Sequence, residues 1–243
     1  MKLLIIRHGD PDYSIDSLTD KGWREAELLS SRFDGIDVKA FYVSPLGRAK
    51  DTASVTLKRL GRTATECPWL REFTPAVRRP DVPDHPTIPW DWLPQDWTSE
   101  SRFYDSERWC EPDTMRAGGV KEAYDAVVSN FDALLANHGY VRDGRFYRAV
   151  SPSNDTIVFF CHFGVECVLL GHILGVSPMV LWHGTCAAPT SVTTLVTEER
   201  RESIALFRMS SFGDISHLAA AGEPPAFAGR FRECYANDSE RRD

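Results

Sequence analysis

The segment MKLLIIRHG, residues 1–9, holds four apolar residues between Lys2 and Arg7 and then an arginine, a histidine and a glycine. A short continuous apolar run that ends in a turn is typical of a strand buried on both faces of a parallel sheet. Three runs have this composition, and each leads into a turn and a helical pattern: Lys2 to Ile6, Ala40 to Val43 and Thr156 to Phe160. The sequence therefore predicts an α/β fold, with a mostly parallel sheet sandwiched by helices.

Helical and hairpin patterns fill most of the remaining chain. Thr19 is a candidate N-cap for a helix from about Asp20 to Phe33. Its predicted inward face holds Trp23, Ala26, Leu29 and Phe33. Three further helices are predicted at Leu46 to Leu60, Lys121 to Asn137 and Val165 to Leu174. Two late strands are predicted at Ser191 to Val196 and Ser203 to Met209, separated by a charged turn at Glu198 to Arg201.

Length and composition favour one domain over residues 1–243, because 243 residues with 42% hydrophobic content can bury one sizeable core. Between Pro68 and Pro112 the chain carries eight of its fifteen prolines and five of its seven tryptophans. Proline at this density prevents long regular elements, whereas the aromatic content disfavours a disordered linker. We interpret residues from about 73 to 114 as an ordered Trp/Pro-rich insertion over one end of the sheet. A polar C-terminal tail is expected from about 220 to 243.

Charge excludes some classes of partner. The formal net charge is -7 and the sequence pI is about 5.5, whereas broad binding to nucleic acid or to an anionic membrane requires an extended cationic face. The apolar stretch after Met1 is interrupted by Arg7 and is too short for a signal peptide or a membrane span. We therefore expect a cytoplasmic protein that binds neither nucleic acid nor membrane. The sequence gives no indication of oligomeric state.

Three motifs follow the three predicted strands. They read Arg7-His8-Gly9, then SPLGR ending at Arg48, then CHFG, which contains His162. In open α/β sheets the ligand site lies at the carboxyl ends of the strands. Two arginines and two histidines are thus expected to converge on one edge of the sheet.

Such a set suits phosphoryl transfer, which needs an in-line nucleophile and cations around the equatorial oxygens. A neutral His8 could attack phosphorus, because neighbouring cations should lower its pKa. Arg7 and Arg48 could hold phosphate oxygens through paired N–H donors. His162 could donate to the same oxygens, together with the N–H groups that begin the helix after it.

Other phosphatase chemistries fit the sequence less well. A cysteine phosphatase loop would need an arginine six positions after Cys161, where this chain has Cys167. The nearby carboxylates Asp10 and Asp12 are too few ligands for a metal site, as is His162 with Glu166. Neither of the usual glycine-rich nucleotide-binding patterns occurs. We therefore expect no metal and no cofactor.

The residues LIIRHG at 4–9, SPLGRAKDTA at 44–53 and CHFG at 161–164 resemble the histidine phosphatase superfamily, also called phosphoglycerate mutase-like. The resemblance covers residues 1 to about 75 and about 115 to 209, with the motifs in the family's order at comparable spacing. It implies a phosphohistidine intermediate on His8, and a phosphate pocket formed by Arg7, Arg48 and His162. It also implies that Glu72 is the proton donor.

Two stretches depart from the family pattern. After Glu72 the family has a glycine-containing stretch, whereas this chain continues with Phe73-Thr74-Pro75. After Gly9 the family often reads Glu-Thr-x-x-Asn, whereas this chain reads DPDYS at residues 10–14. Ser14 occupies the position of the asparagine and is therefore a candidate phosphate contact.

Three functions remain open at this point. The first is a phosphatase that hydrolyses a small phosphate monoester through His8. The second is a phosphoglycerate-mutase-type phosphotransferase, which would need extra cations for a second anionic group. Candidates for these cations are Arg71, Arg78, Arg79, Arg102 and Arg116. The third is a non-catalytic protein that recognises phosphate.

Overall fold

The computed structural model describes residues 1–237. Its ten strands are β1 (Lys2–Arg7), β2 (Pro11–Asp12), β3 (Ser17–Leu18), β4 (Val38–Val43), β5 (Thr65–Glu66), β6 (Tyr140–Asp143), β7 (Phe146–Ala149), β8 (Thr156–Cys161), β9 (Val192–Arg201) and β10 (Ile204–Asp214). Its eight α-helices are α1 (Asp20–Ser30), α2 (Gly47–Leu60), α3 (Pro94–Ser99), α4 (Asp113–Ala117), α5 (Val120–Asn137), α6 (Phe163–Leu174), α7 (Pro178–Gly184) and α8 (Ser216–Ala221). Short 3-10 turns lie at Ser31–Phe33, Pro68–Leu70 and Ser101–Tyr104.

The central sheet has eight strands in the order β5-β4-β8-β1-β9-β10-β7-β6. Strands β5, β4, β8 and β1 run parallel to one another. The other neighbouring pairs, β1–β9, β9–β10, β10–β7 and β7–β6, are antiparallel. The predicted α/β fold is confirmed, because the sheet is flanked by helices on both faces. The three strands that carry the motifs, β4, β8 and β1, lie side by side and end at one edge.

Alternation along β1 explains how its apolar run is buried on both faces. Leu4 and Ile6 face a cluster that includes Leu29 of α1 and Ala53 of α2. Leu3 and Ile5 belong to the larger cluster on the other face, where α5 and α6 pack. All four β1 side chains are less than a tenth exposed. A buried strand of this kind holds the residue that follows it in a fixed position.

Two details of the sequence interpretation were wrong. Trp23 is 38% exposed, because Gly22 rather than Trp23 occupies the buried face of α1, whereas Ala26, Leu29 and Phe33 are buried as predicted. The close fit of α1 explains this face, since a Cβ on Gly22 would lie 2.2 Å from the carbonyl oxygen of Asp10.

The predicted charged turn at Glu198 to Arg201 is the second error. These residues form the exposed end of β9, and the turn lies at Glu202 and Ser203. Ser203 has a φ of 61°, in the left-handed region that tight turns use. Charged side chains are tolerated in this hairpin because its outer face is solvated. The β6–β7 hairpin and α7 were not predicted.

The Trp/Pro-rich segment at about 73–114 contains α3, a 3-10 turn and the start of α4. Phe73, Trp92, Phe103 and Trp109 are buried in the same cluster as α5 and α6. The tail from about 220 returns across the molecule, where Ala226 is 6% exposed. Residues 238–243 of the predicted tail lie outside the described residues. Over residues 1–237, no helix is long and apolar enough to cross a bilayer.

Candidate active site

His8 follows β1 at the edge where the parallel strands end, and its side chain is 2% exposed. Its backbone N–H donates to the Cys161 carbonyl at 3.0 Å, which ties the turn to β8. The ring Nδ1 lies 2.7 Å from the Gly9 carbonyl oxygen. Because a carbonyl can only accept, Nδ1 carries the proton and Nε2 keeps its lone pair. The imidazole is thus held in the tautomer that a nucleophile requires.

The surroundings of His8 favour this neutral form. Burial lowers the pKa of His8 well below its usual value, and the positive charges of Arg7 and Arg48 lower it further. Nε2 faces Arg48, whose Nε donates to it over 3.4 Å. The lone pair therefore points into a cationic environment, where an incoming phosphate would be attracted.

Arg48 lies in the first turn of α2 with its side chain 12% exposed. Its Nη1 donates to Asp16 Oδ1 at 2.5 Å, and its guanidinium lies over the Tyr13 ring at 5.3 Å. Asp16 also accepts the Gly47 backbone N–H at 2.7 Å. A single carboxylate therefore fixes both the beginning of α2 and the guanidinium, which leaves Arg48 beside His8.

Arg7 ends β1 and is 5% exposed. Its Nη1 donates to the Ala187 carbonyl at 2.5 Å and its Nη2 to the Ala228 carbonyl at 2.6 Å. Gly229 closes over it with a φ of 76°, and a Cβ there would lie 2.7 Å from Nη2. The C-terminal segment thus forms one wall of the site and holds this guanidinium in place.

His162 follows β8 and is fully buried. Its ring centroid lies 5.1 Å from that of His8, and Nε2 is 2.7 Å from the Ser44 hydroxyl. Burial, followed by the nearby His8, lowers the pKa of His162 well below its usual value. His162 is therefore adjacent to His8, as expected, but lies behind it rather than on the pocket wall.

Glu72 lines the pocket after the 3-10 turn Pro68–Leu70. Its carboxylate accepts the N–H groups of Phe73 at 2.7 Å, Gly164 at 3.2 Å and Val165 at 3.0 Å. The last two belong to the first turn of α6, whose dipole attracts a carboxylate. Burial nevertheless raises the pKa of Glu72 above its ordinary value. Burial thus shifts this carboxyl towards the protonated form that a general acid requires.

Ser14, like His162, is a predicted phosphate contact that does not line the pocket. It lies exposed in a turn, where its hydroxyl donates to Asp12 Oδ1 at 2.6 Å. The preceding residue, Tyr13, lines the pocket instead. The Ser14 backbone N–H also donates to Asp12 Oδ1, at 2.9 Å, which holds this side chain away from the pocket.

These side chains surround a pocket of about 310 Å³ at the carboxyl edge of the sheet. Its lining consists of Arg7, His8, Tyr13, Leu46, Arg48, Arg71, Glu72, Thr74, Ile88, Trp90, Phe163 and Gly229. Of the residues predicted from sequence, Arg7, His8, Arg48 and Glu72 line it directly. The volume is enough for a phosphate group and part of the group attached to it.

Sequence reasoning missed the residues that position this set. Asp16 orients Arg48, Ser44 holds His162, and the Thr52 hydroxyl accepts the Gly9 N–H at 2.9 Å. Ser44 and Thr52 lie within the second motif, but the sequence around a hydroxyl does not indicate its hydrogen-bond partner. No sequence pattern indicated Gly229, because it contacts Arg7 from the opposite end of the chain.

Over residues 1–237, no group of three or more His, Cys, Asp or Glu side chains is arranged to hold a metal ion. Glu166, which the sequence placed one helical turn after His162, is 1% exposed and has its pKa raised to about 7 by burial. It lies outside the lining of the pocket.

Comparison with curated proteins gives partial matches. The chain is 40% identical over 62 residues to a 2,3-bisphosphoglycerate-dependent phosphoglycerate mutase of Thermoplasma acidophilum. This match covers 21% of this chain and 31% of that protein. It is 37% identical over 100 residues to the mitochondrial serine/threonine-protein phosphatase Pgam5 of Caenorhabditis elegans. This match covers 39% of this chain and 33% of that protein. The matched region thus spans about a third of each relative.

Solved structures share the fold along most of the chain. A phosphoserine phosphatase of Entamoeba histolytica in complex with 3-phosphoglyceric acid superposes with a TM-score of 0.57 at 17% identity, covering 89% of this chain and 98% of that one. A mycobacterial glucosyl-3-phosphoglycerate phosphatase in complex with VO3 gives 0.52 at 18% identity, covering 87% and 98%. At this identity the similarity shows a common fold.

Family membership follows from a family model. The model of the histidine phosphatase superfamily, branch 1, matches residues 3–209. This range is most of the chain and includes all three motifs. The chain therefore belongs to branch 1 of the histidine phosphatase superfamily.

Proposed function

We propose that this protein is a phosphatase that hydrolyses a small phosphate monoester through a phosphohistidine on His8, without a metal ion. The observation that carries the proposal is the state of the His8 imidazole. Its Nδ1–H is held by the Gly9 carbonyl, and its Nε2 lone pair is presented beside Arg48 in a pocket. The structural relatives include phosphatases of small phosphate esters, which supports the same class.

The reaction has two balanced steps. In the first, His8 Nε2 forms a bond to phosphorus while the bond to the leaving oxygen breaks, and the leaving oxygen takes the proton of Glu72. In the second, the Glu72 carboxylate takes a proton from water, which attacks phosphorus and releases inorganic phosphate and His8. Arg48 and Arg7 would balance the charge that spreads over the equatorial oxygens. These cations would do the work that a metal ion does in other phosphatases.

The positions and partners of the candidate arginines favour hydrolysis over the mutase reaction. Of the five arginines considered for a second anionic group, only Arg71 lines the described pocket. Arg79 pairs with Asp81 and Asp91, Arg102 pairs with Glu100, and Arg116 pairs with Asp113. Arg78 donates to the Pro83 carbonyl at 2.8 Å. A substrate with one phosphate group suits this distribution of charge.

The proposal is tested by incubating the protein with a panel of phosphate monoesters, including phosphoserine and 3-phosphoglycerate, in excess chelator. We expect release of inorganic phosphate that the chelator does not reduce. Interconversion of phosphoglycerates faster than phosphate release would instead establish a mutase. Binding of phosphate esters without turnover would establish a recognition protein, and loss of activity in chelator would contradict the metal-free mechanism.

We expect the ionisation of Glu72 to determine the alkaline side of the pH profile of kcat/KM. The active form has a neutral His8 and a protonated Glu72, so kcat/KM should fall as the pH rises through the raised pKa of Glu72. Because the pKa of His8 is lowered, protonation of His8 should reduce kcat/KM only well below pH 6.5. Replacing Glu72→Gln should remove the alkaline limb and lower kcat by roughly 10²-fold.

The matched control for this profile is Glu166→Gln. Glu166 is also buried and its pKa is raised to about 7, but it does not line the pocket. We expect the alkaline limb to persist in this variant. Should Glu166→Gln remove the limb while Glu72→Gln keeps it, Glu72 is not the general acid. Using one substrate throughout cancels the ionisation of the phosphate ester itself.

Location is also a proposal. The apolar stretch near Met1 is part of the central strand β1, which supports the expectation that it is not a targeting segment. The formal net charge of -7 supports the absence of nucleic acid and anionic membranes as partners. We therefore propose the cytoplasm as the location.

A further inference from the structure

A second cavity of about 630 Å³ lies next to the pocket that holds His8. The two cavities share four lining residues, namely Arg7, Trp90, Phe163 and Gly229. The two cavities are therefore adjacent, with these four residues at their boundary. A leaving group as small as that of phosphoserine would leave most of this volume unfilled.

Seven aromatic side chains line this second cavity. They are Trp90, Trp92, Trp97, Phe163, Trp182, Phe231 and Tyr235. Flat apolar surfaces of this kind attract flat apolar ligands through burial and ring stacking. The wall is therefore suited to a flat apolar ring system.

These rings are held in place before any ligand arrives. The Trp90 indole donates to the Phe73 carbonyl at 2.9 Å, and the Trp182 indole donates to the Gly164 carbonyl at 2.9 Å. Trp97 stacks on His183 with ring centroids 5.0 Å apart and an interplanar angle of 23°. Preorganised walls bind with a smaller loss of conformational entropy. The cavity thus has the rigidity of a binding site.

Apart from Arg7, the charged side chains that line the cavity are Asp91, Arg230, Arg232 and Glu233, two carboxylates and two arginines. Asp91 pairs with Arg79 at 2.8 Å, and Arg230 pairs with Glu233. Positive and negative side chains thus offset each other away from Arg7, which belongs to the phosphate pocket. This distribution of charge matches an uncharged ligand.

We propose that the second cavity binds the leaving group of the substrate, and that this group is an uncharged aromatic ring system. The inference rests on the proposed phosphatase function, because it places the phosphate at His8 and the ring beyond Trp90 and Phe163. The Trp/Pro-rich segment, which supplies Trp90, Trp92 and Trp97, then sets specificity.

The test compares two phosphate esters, 2-naphthylmethyl phosphate and 2-hydroxyethyl phosphate. Their leaving alcohols have similar acidity, so their intrinsic reactivities are close and a difference reports binding. We expect kcat/KM to be about 100-fold higher for the naphthylmethyl ester, because only that ester buries apolar area in the cavity. Equal kcat/KM values for the two esters would overturn the inference.

The variant Trp97→Ala tests the assignment to this wall, because Trp97 lines the second cavity and not the first. It should reduce the preference for the naphthylmethyl ester by roughly tenfold. Both esters are measured on the same preparation, so misfolding would lower both rates and leave their ratio unchanged. The control Trp23→Ala removes a partly exposed tryptophan of α1 and should leave the ratio unchanged. An unaltered ratio in Trp97→Ala would overturn the inference.

A binding measurement separates this inference from the proposed function. The His8→Ala variant is titrated with both esters by calorimetry, and we expect the naphthylmethyl ester to bind about 100-fold more tightly. Tight binding without turnover in the wild type would contradict the phosphatase function and keep the aromatic site. Turnover of both esters with equal affinities would keep the phosphatase and contradict the aromatic site.

Discussion

Replacing His8→Ala should lower the turnover of phosphate monoesters by roughly 10⁴-fold or more, because the variant loses the atom that accepts the phosphoryl group. Among the residues that line the pocket, His8 is the one histidine. Arg7 and Arg48 are cations, and Glu72 is held by three backbone N–H groups. The measurement is the initial rate of phosphate release at saturating ester.

The matched control is His138→Ala. His138 follows α5, and its Nε2 lies 2.6 Å from the Tyr42 hydroxyl, so the control also removes a hydrogen-bonded, partly buried histidine. We expect this variant to keep its rate within about twofold, since it lies outside the pocket. Thermal unfolding should show that both variants are folded. A His8→Ala protein that is folded and keeps a tenth of the wild-type rate would contradict the mechanism.

Replacing Arg48→Ala should have the next largest effect and lower kcat/KM by roughly 10³-fold. Three observations place this guanidinium beside the nucleophile. Its Nε donates towards His8 Nε2, its Nη1 is fixed by Asp16, and its charge lowers the pKa of His8. Lysine cannot reproduce this geometry, so Arg48→Lys should recover little of the loss.

Arg59→Ala provides the comparison on the same helix. Arg59 lies in the last turn of α2, where it pairs with Asp34 on the surface. We expect kcat/KM to stay within about twofold of the wild type, because an exposed ion pair contributes little. Should Arg48→Ala and Arg59→Ala have equal effects, the guanidinium beside His8 would have no specific part in the reaction.

The site was predictable where residue type and strand order determine position. Arg7 and His8 lie at the end of the buried apolar strand β1, and Arg48 lies in the first turn of α2, which follows β4. Parallel strands bring such positions to one edge of the sheet. The structure shows that β1, β4 and β8 are neighbours, which is why these separated motifs meet.

Contacts made by backbone groups were not predictable. Arg7 is held by the carbonyls of Ala187 and Ala228, which lie 180 and 221 residues away in sequence. A carbonyl is present in every residue, so no residue type marks these partners. The side chain of Ser14 likewise depends on a turn in which Asp12 accepts its hydrogen bonds. Single-residue placement in a turn is decided by backbone conformation rather than by composition.

The tryptophans of the Trp/Pro-rich segment differ in burial and in what they line. The sequence predicted an ordered insertion from their number. Trp109 is buried in the main core, whereas Trp92 is buried there and also lines the second cavity. Trp90 and Trp97 are only partly buried and line a cavity. Composition cannot separate these roles, because both use the same apolar surface.

The central claim is that His8 receives the phosphoryl group, and trapping the intermediate tests it most directly. The protein is mixed with a radiolabelled phosphate ester, quenched in strong base within milliseconds and digested for mass spectrometry. We predict base-stable, acid-labile phosphate on the peptide that contains His8, and none on the His8→Ala protein. Phosphate on another residue, or phosphate release with no labelled protein at any time, would contradict the account.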